Sequence, residues 1–72
     1  MLMMAEQEMT ALMLYRIRGE FLEMPGLRLT TEQAARLWHI DAATCAEVLS
    51  RLVAERFLTR TRAGAYVRSD VV

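Results

Sequence analysis

The chain has 72 residues, 54% of them apolar and 25% charged, and its nine basic and nine acidic side chains leave a net charge of zero. A polypeptide of this length buries only about 60% of its unfolded surface and has material for one core, so residues 1–72 read as a single domain. One Cys and one His exclude a disulfide framework and a Cys/His metal site. The balanced charge also removes the overall basic excess by which nucleic-acid-binding proteins are usually recognised.

The chain begins with a Met-rich stretch: five of the six methionines fall within residues 1–13. Met1 to Ala5 is followed by Glu6 and Glu8 with no basic residue before it, which argues against a signal peptide, and no apolar run approaches the roughly 18 residues of a membrane span. The expectation is a cytoplasmic, unprocessed protein in which Cys45 is a small core residue.

The first helix is expected from about Ala5 to Glu23, with residues 1–13 as its Met-rich N-terminal extension. Met24, Pro25 and Gly26 stop it, because Pro removes a backbone donor and biases the preceding residue away from helical dihedrals. Its apolar residues are too many for one face. One stripe is Met3, Leu14, Ile17, Phe21 and Met24; a second, broader arc holds Leu2, Met9, Leu12, Met13, Tyr15 and Leu22. A chain with one core leaves the second arc without a partner, so Leu2, Met9, Leu12, Met13 and Tyr15 are the expected interface of a homodimer. The plainer alternative is a wide arc that wraps the small domain.

Leu27, Arg28 and Leu29 alternate as a short edge strand would. Thr30 and Gln33 then stand at capping-box spacing before a second helix over about Thr31 to Trp38. His39, Ile40 and Asp41 form a turn, with Ile40 plugging the angle between helices and Asp41 capping a third helix from about Ala42 to Glu55. Within Thr31 to Ser50 the side chains of Ala34, Trp38, Ile40, Cys45 and Val48 all point inward, and the small Ala35 lets one helix cross close over the other. The third helix continues its buried face through Leu49, Leu52 and Val53. Phe57 to Thr61 and Ala65 to Ser69 read as a hairpin whose turn takes its positive dihedral from Gly64, and Asp70 to Val72 as a short tail.

The charge is unevenly placed. Residues 1–27 carry Arg16 and Arg18 against four glutamates, whereas the segment from Arg51 to Arg68 carries five arginines against Glu55 alone. Every basic residue is Arg, which suits bidentate phosphate and guanine contacts.

In the order helix, short strand, helix, turn, helix, hairpin, this pattern resembles the winged helix-turn-helix family over residues 14 to about 69. The resemblance is carried by Leu14, Ile17, Phe21, Leu27, Leu29, Ala34, Ala35, Trp38, Ile40, Cys45, Val48, Leu49, Leu52, Phe57, Leu58, Gly64 and Tyr66. It implies a mainly α fold, a three-helix core with a two- or three-stranded wing sheet. It also implies duplex DNA binding, with the third helix in the major groove and the wing on the neighbouring backbone or minor groove. Two positions depart from the family: His39 stands where a Gly commonly takes a positive dihedral, and Arg56 where Gly often closes the third helix.

Carried onto this chain, the resemblance implies a small DNA-binding transcription regulator. Its contact residues would be Ala43, Thr44, Glu47, Ser50 and Arg51 on the third helix and Arg60, Arg62 and Arg68 on the wing. The groove-facing surface, which also includes Ala42 and Ala46, is rich in methyl groups and poor in the Arg, Lys, Asn and Gln that read purines, so recognition would lean on phosphates and DNA shape. Arg28 and Arg36 would add backbone contacts. The alternative use of the same fold is a protein-interaction module, for which the neutral charge and the Ala-rich helix are the supporting features. Arg and Thr alternating on the wing also suit a solvated strand edge. No nucleophile has a base in reach along the sequence and no phosphate-cradling Gly loop is present, so neither an enzyme nor a small-molecule cofactor is expected.

Overall fold

The computed structural model describes the backbone of residues 2–71 and the side chains of residues 10–70. Three helices, α1 (Leu2–Glu23), α2 (Thr31–Trp38) and α3 (Ala42–Ala54), precede and interrupt three short strands, β1 (Leu29–Thr30), β2 (Leu58–Arg60) and β3 (Ala65–Arg68). The strands form an antiparallel sheet in the order β1-β3-β2, with Leu29 opposite Tyr66, and Leu58, Thr59 and Arg60 opposite Arg68, Val67 and Tyr66.

Local chemistry sets the element ends. α1 closes where the Met24 amide donates to the Glu20 carbonyl at 3.1 Å, and the Leu27 amide turns back onto the Met24 carbonyl at 2.9 Å across Pro25 and Gly26. That turn occupies the Leu27 amide, so pairing with β3 begins at Leu29, two residues later than the alternation predicts. α2 begins on a complete capping box: the Thr30 Oγ1 accepts from the Gln33 amide at 3.2 Å, and the Gln33 Oε1 accepts from the Thr30 amide at 2.9 Å. The expected limits of α2 are met. α3 begins on Asp41 and ends one residue short of the expected Glu55.

Both helix exits pass through a left-handed residue that is not glycine, His39 at φ 55° and Arg56 at φ 65°. Each is followed by an amide reaching back five residues, Ile40 to the Ala35 carbonyl and Phe57 to the Leu52 carbonyl, both at 3.0 Å. The turn between β2 and β3 takes its positive dihedral at Gly64, φ 84°, and Thr61 closes it from both sides: its amide donates to the Ala65 carbonyl and its Oγ1 accepts from the Ala65 amide.

One apolar cluster joins all the layers. Ile17 and Phe21 from α1, Ala34 and Trp38 from α2, Cys45, Val48, Leu49 and Leu52 from α3, Leu58 from β2 and Tyr66 from β3 are buried together. Phe21 meets Trp38 edge to face with ring centroids 6.3 Å apart. Leu14, Leu27, Leu29, Ala35, Ile40, Val53 and Phe57 pack around this centre.

Two expectations are corrected. Met24 is nearly half exposed, because the helical period ends at Glu23 and does not carry its side chain inward. Ser69–Val71 forms a short 3-10 turn where a tail is expected. The Ser69 amide extends the hairpin by donating to the Phe57 carbonyl at 3.0 Å, and the Arg68 guanidinium forks onto the Asp70 carboxylate. Val72 lies outside the described residues.

Candidate nucleic-acid interface

The geometry of α3 follows from its cap. Asp41 Oδ2 accepts from the Thr44 amide at 2.9 Å while Oδ1 accepts from the Thr44 hydroxyl at 2.7 Å. These two bonds hold the Asp41 carboxyl below the ordinary carboxylate range, the backbone bond contributing most. With the cap set, Cys45, Val48, Leu49 and Leu52 turn into the core. Ala43, Glu47, Ser50, Arg51 and Ala54 remain on the outer face, all exposed. The sequence-predicted contact residues Ala43, Glu47, Ser50 and Arg51 therefore share one helix face. Thr44 does not join them in full: it is half-buried and its hydroxyl proton points at Asp41.

The β2–β3 hairpin divides its arginines into two kinds. Arg60 and Arg62 are exposed and form no ion pair among the described residues, with the Arg60 guanidinium lying beside Gly64 at the turn. Arg68 differs. Its side chain is only 17% exposed and grips Asp70 with two nitrogens, so it braces the end of the hairpin instead of reaching outward. The two residues stand two positions apart in the sequence, but that spacing does not dictate the rotamer that joins them.

A second ion pair escaped the sequence altogether. Arg18 of α1 pairs with Glu55 at the end of α3, and its guanidinium carbon lies 5.5 Å from the centre of the Phe57 ring. Thirty-seven positions separate the partners, and no local pattern announces such a pair. Arg28 and Arg36, expected near the second helix, do come together with Leu29, Gln33 and Leu37 around one open depression.

The residues expected at a dimer interface separate. Leu12 and Tyr15 stand 67% and 82% exposed, while Met13 packs against the core of its own chain. Met13 sits on the side of α1 nearest Ile17 in helical projection, and the broad second arc had absorbed it by sequence proximity to Leu12. The side chains of Leu2 and Met9 lie outside the described residues. Cys45 is buried, its thiol directed at the Thr31 carbonyl, and burial pushes its pKa up, with the Asp41 charge adding to the effect. Among the described residues no group of three His, Cys, Asp or Glu gathers as a metal site would require, and no helix is long and apolar enough to cross a membrane.

What the arrangement offers chemically is an exposed helix face with a carboxylate, a hydroxyl and a guanidinium, and a hairpin tip with two unpaired guanidinium groups. Comparison of the chain with protein-family models, with curated proteins and with solved structures finds no match, which leaves this geometry as the ground for a functional reading.

Proposed function

We propose that this chain is a small winged helix-turn-helix protein that binds duplex DNA and regulates transcription, with α3 in the major groove and the β2–β3 hairpin as the wing. The observation that carries the reading is the internal neutralisation of acids around the wing. Glu55 is taken up by Arg18 and Asp70 by Arg68, and Asp41 is engaged at the helix cap, so Arg51, Arg56, Arg60 and Arg62 face solvent with Glu47 as the one uncommitted carboxylate on α3. These solvent-facing arginines carry the local basic excess of a chain with no net charge. The three-residue turn between α2 and α3, closed by a left-handed His39 and capped by Asp41, adds the helix pairing that such domains use.

Base recognition falls to few groups. Ala43 can meet a thymine methyl, Glu47 can accept from cytosine N4, and Ser50 can bond either partner, which yields modest sequence selectivity superimposed on phosphate binding. Titration of duplex DNA at two salt concentrations tests the reading, since log affinity falls with log salt by about 0.9 per phosphate contact. Replacing Arg60 and Arg62 together by Ala should lower affinity and flatten that slope by roughly two contacts. Absent or salt-insensitive binding at micromolar protein would sink the proposal and leave the fold as a protein-interaction module.

A further inference from the structure

The exposed side of α1 carries a pattern that its own chain does not use. Leu12, Tyr15 and Leu22 stand more than half exposed. With Gly19 they recur at spacings of three, four and three, the repeat of a coiled-coil seam on the side of the helix away from Ile17 and Phe21. Gly19 lies within a 22-residue helix, where glycine weakens the helix relative to alanine. Among the described residues nothing requires its small size, since a Cβ placed there would meet no atom within 4 Å beyond its chain neighbours and its own helix backbone. Among the α1 side chains that are described, the core takes Ile17 and Phe21, with Met13 and Leu14 packed against it.

We propose that the occupant of this face is a second copy of the chain, packed antiparallel along α1 about a two-fold axis opposite position 17. The register follows from the sequence numbers. Leu12 and Leu22 are equidistant from position 17, and so are Tyr15 and Gly19, so an antiparallel copy sets Leu12 beside Leu22 of its partner and lays the Tyr15 ring over the partner's Gly19 at both ends of the contact. A self-complementary patch of this kind is what an isologous dimer needs. A parallel pairing would instead stack Tyr15 on Tyr15 and leave the two glycines facing each other across a gap. The missing Cβ of Gly19 is then the space into which the aromatic ring closes. The inference stands apart from the DNA reading, because it uses none of the α3 or wing residues.

Sedimentation of the protein without DNA, from micromolar to hundreds of micromolar, is expected to pass from the 8.3 kDa chain to twice that mass. Gly19→Leu should weaken the association at least tenfold, while Gly19→Ala and Gly19→Leu both keep or raise the helical content and melting temperature of the monomer. Orientation is read by cross-linking, for which the buried Cys45 does not compete. Leu12→Cys mixed with Leu22→Cys should give a disulfide-linked heterodimer under mild oxidation, and neither variant alone should link to itself. Self-linking of Leu12→Cys would show parallel pairing and overturn the register. A monomer at every concentration, or a Gly19→Leu variant that dimerises as well as the parent, would overturn the proposal as a whole.

Discussion

His39 and Arg56 both hold left-handed dihedrals that favour glycine, and both are exposed, so their side chains gain no packing in return. A non-glycine residue in that region costs about 1 kcal/mol, and His39→Gly and Arg56→Gly should each stabilise the fold by roughly 0.5 to 1 kcal/mol, seen as a higher urea midpoint with an unchanged slope. Asp41 works in the opposite sense: Asp41→Ala removes the α3 cap and should lower the urea midpoint near neutral pH. Because the folded state holds this carboxyl below its unfolded value, its contribution is complete above the unfolded pKa and disappears as the pH falls through the folded one. The stability difference between the parent and Asp41→Ala should accordingly shrink in acid, below about pH 4, and a difference that stays constant there would show that the charge of Asp41 plays no part. These positions were legible in the sequence because caps and turns are decided by residues a few places apart. The Arg68 fork to Asp70 is as local, yet it depends on the rotamer of an arginine, which no spacing dictates.

At the level of the helices, the inward faces of α2 and α3 could be read because burial leaves a periodic trace, and Ala34, Trp38, Cys45, Val48, Leu49 and Leu52 are the residues that the period selects. α1 was harder. Its apolar residues cover most of its circumference, so pattern alone did not separate Met13, which packs on the core, from Leu12 beside it, which does not. The Arg18 pair with Glu55 ties α1 to the exit of α3, but both side chains are close to half exposed and the bond itself is worth about 1 kcal/mol or less; the alignment of the two helices rests on Ile17, Phe21 and the residues they touch. Cys45 offers a probe of that packing. It is fully buried and its thiol is held protonated, so a thiol reagent should modify it only as fast as α3 separates from the rest, and the labelling rate should follow global stability across denaturant. Labelling as fast as that of an unfolded chain under native conditions would mean that α3 is loosely held.

For the molecule as a whole, the two proposals meet in the spacing of the recognition helices. A two-fold dimer that offers its α3 helices on one side about 34 Å apart would address successive major grooves, and each β2–β3 hairpin would add Arg60 and Arg62, which form no ion pair among the described residues. Occupancy of a two-site duplex should then rise more steeply than occupancy of a half-site as protein is added, and Gly19→Leu should remove that steepness while leaving half-site binding intact. Equal titration curves on both duplexes would separate DNA binding from self-association. The sequence conveyed the basic segment from Arg51 to Arg68 but not its usable part, because charge counts do not reveal which arginines are already answered by Asp70 or by another helix.

The strand order β1-β3-β2 has a bearing on how the chain comes into being. The third of these strands in chain order is the central one, and Tyr66 is paired with Leu29 of β1 and with Arg60 of β2. During translation the three helices emerge without any sheet to close them, and β1 waits with its edge open for a strand made thirty-odd residues later. Leu58 of β2 and Tyr66 of β3 both belong to the core. A chain interrupted before Ala65 therefore loses both strand pairings together, so the sheet closes on either side only once β3 has been made.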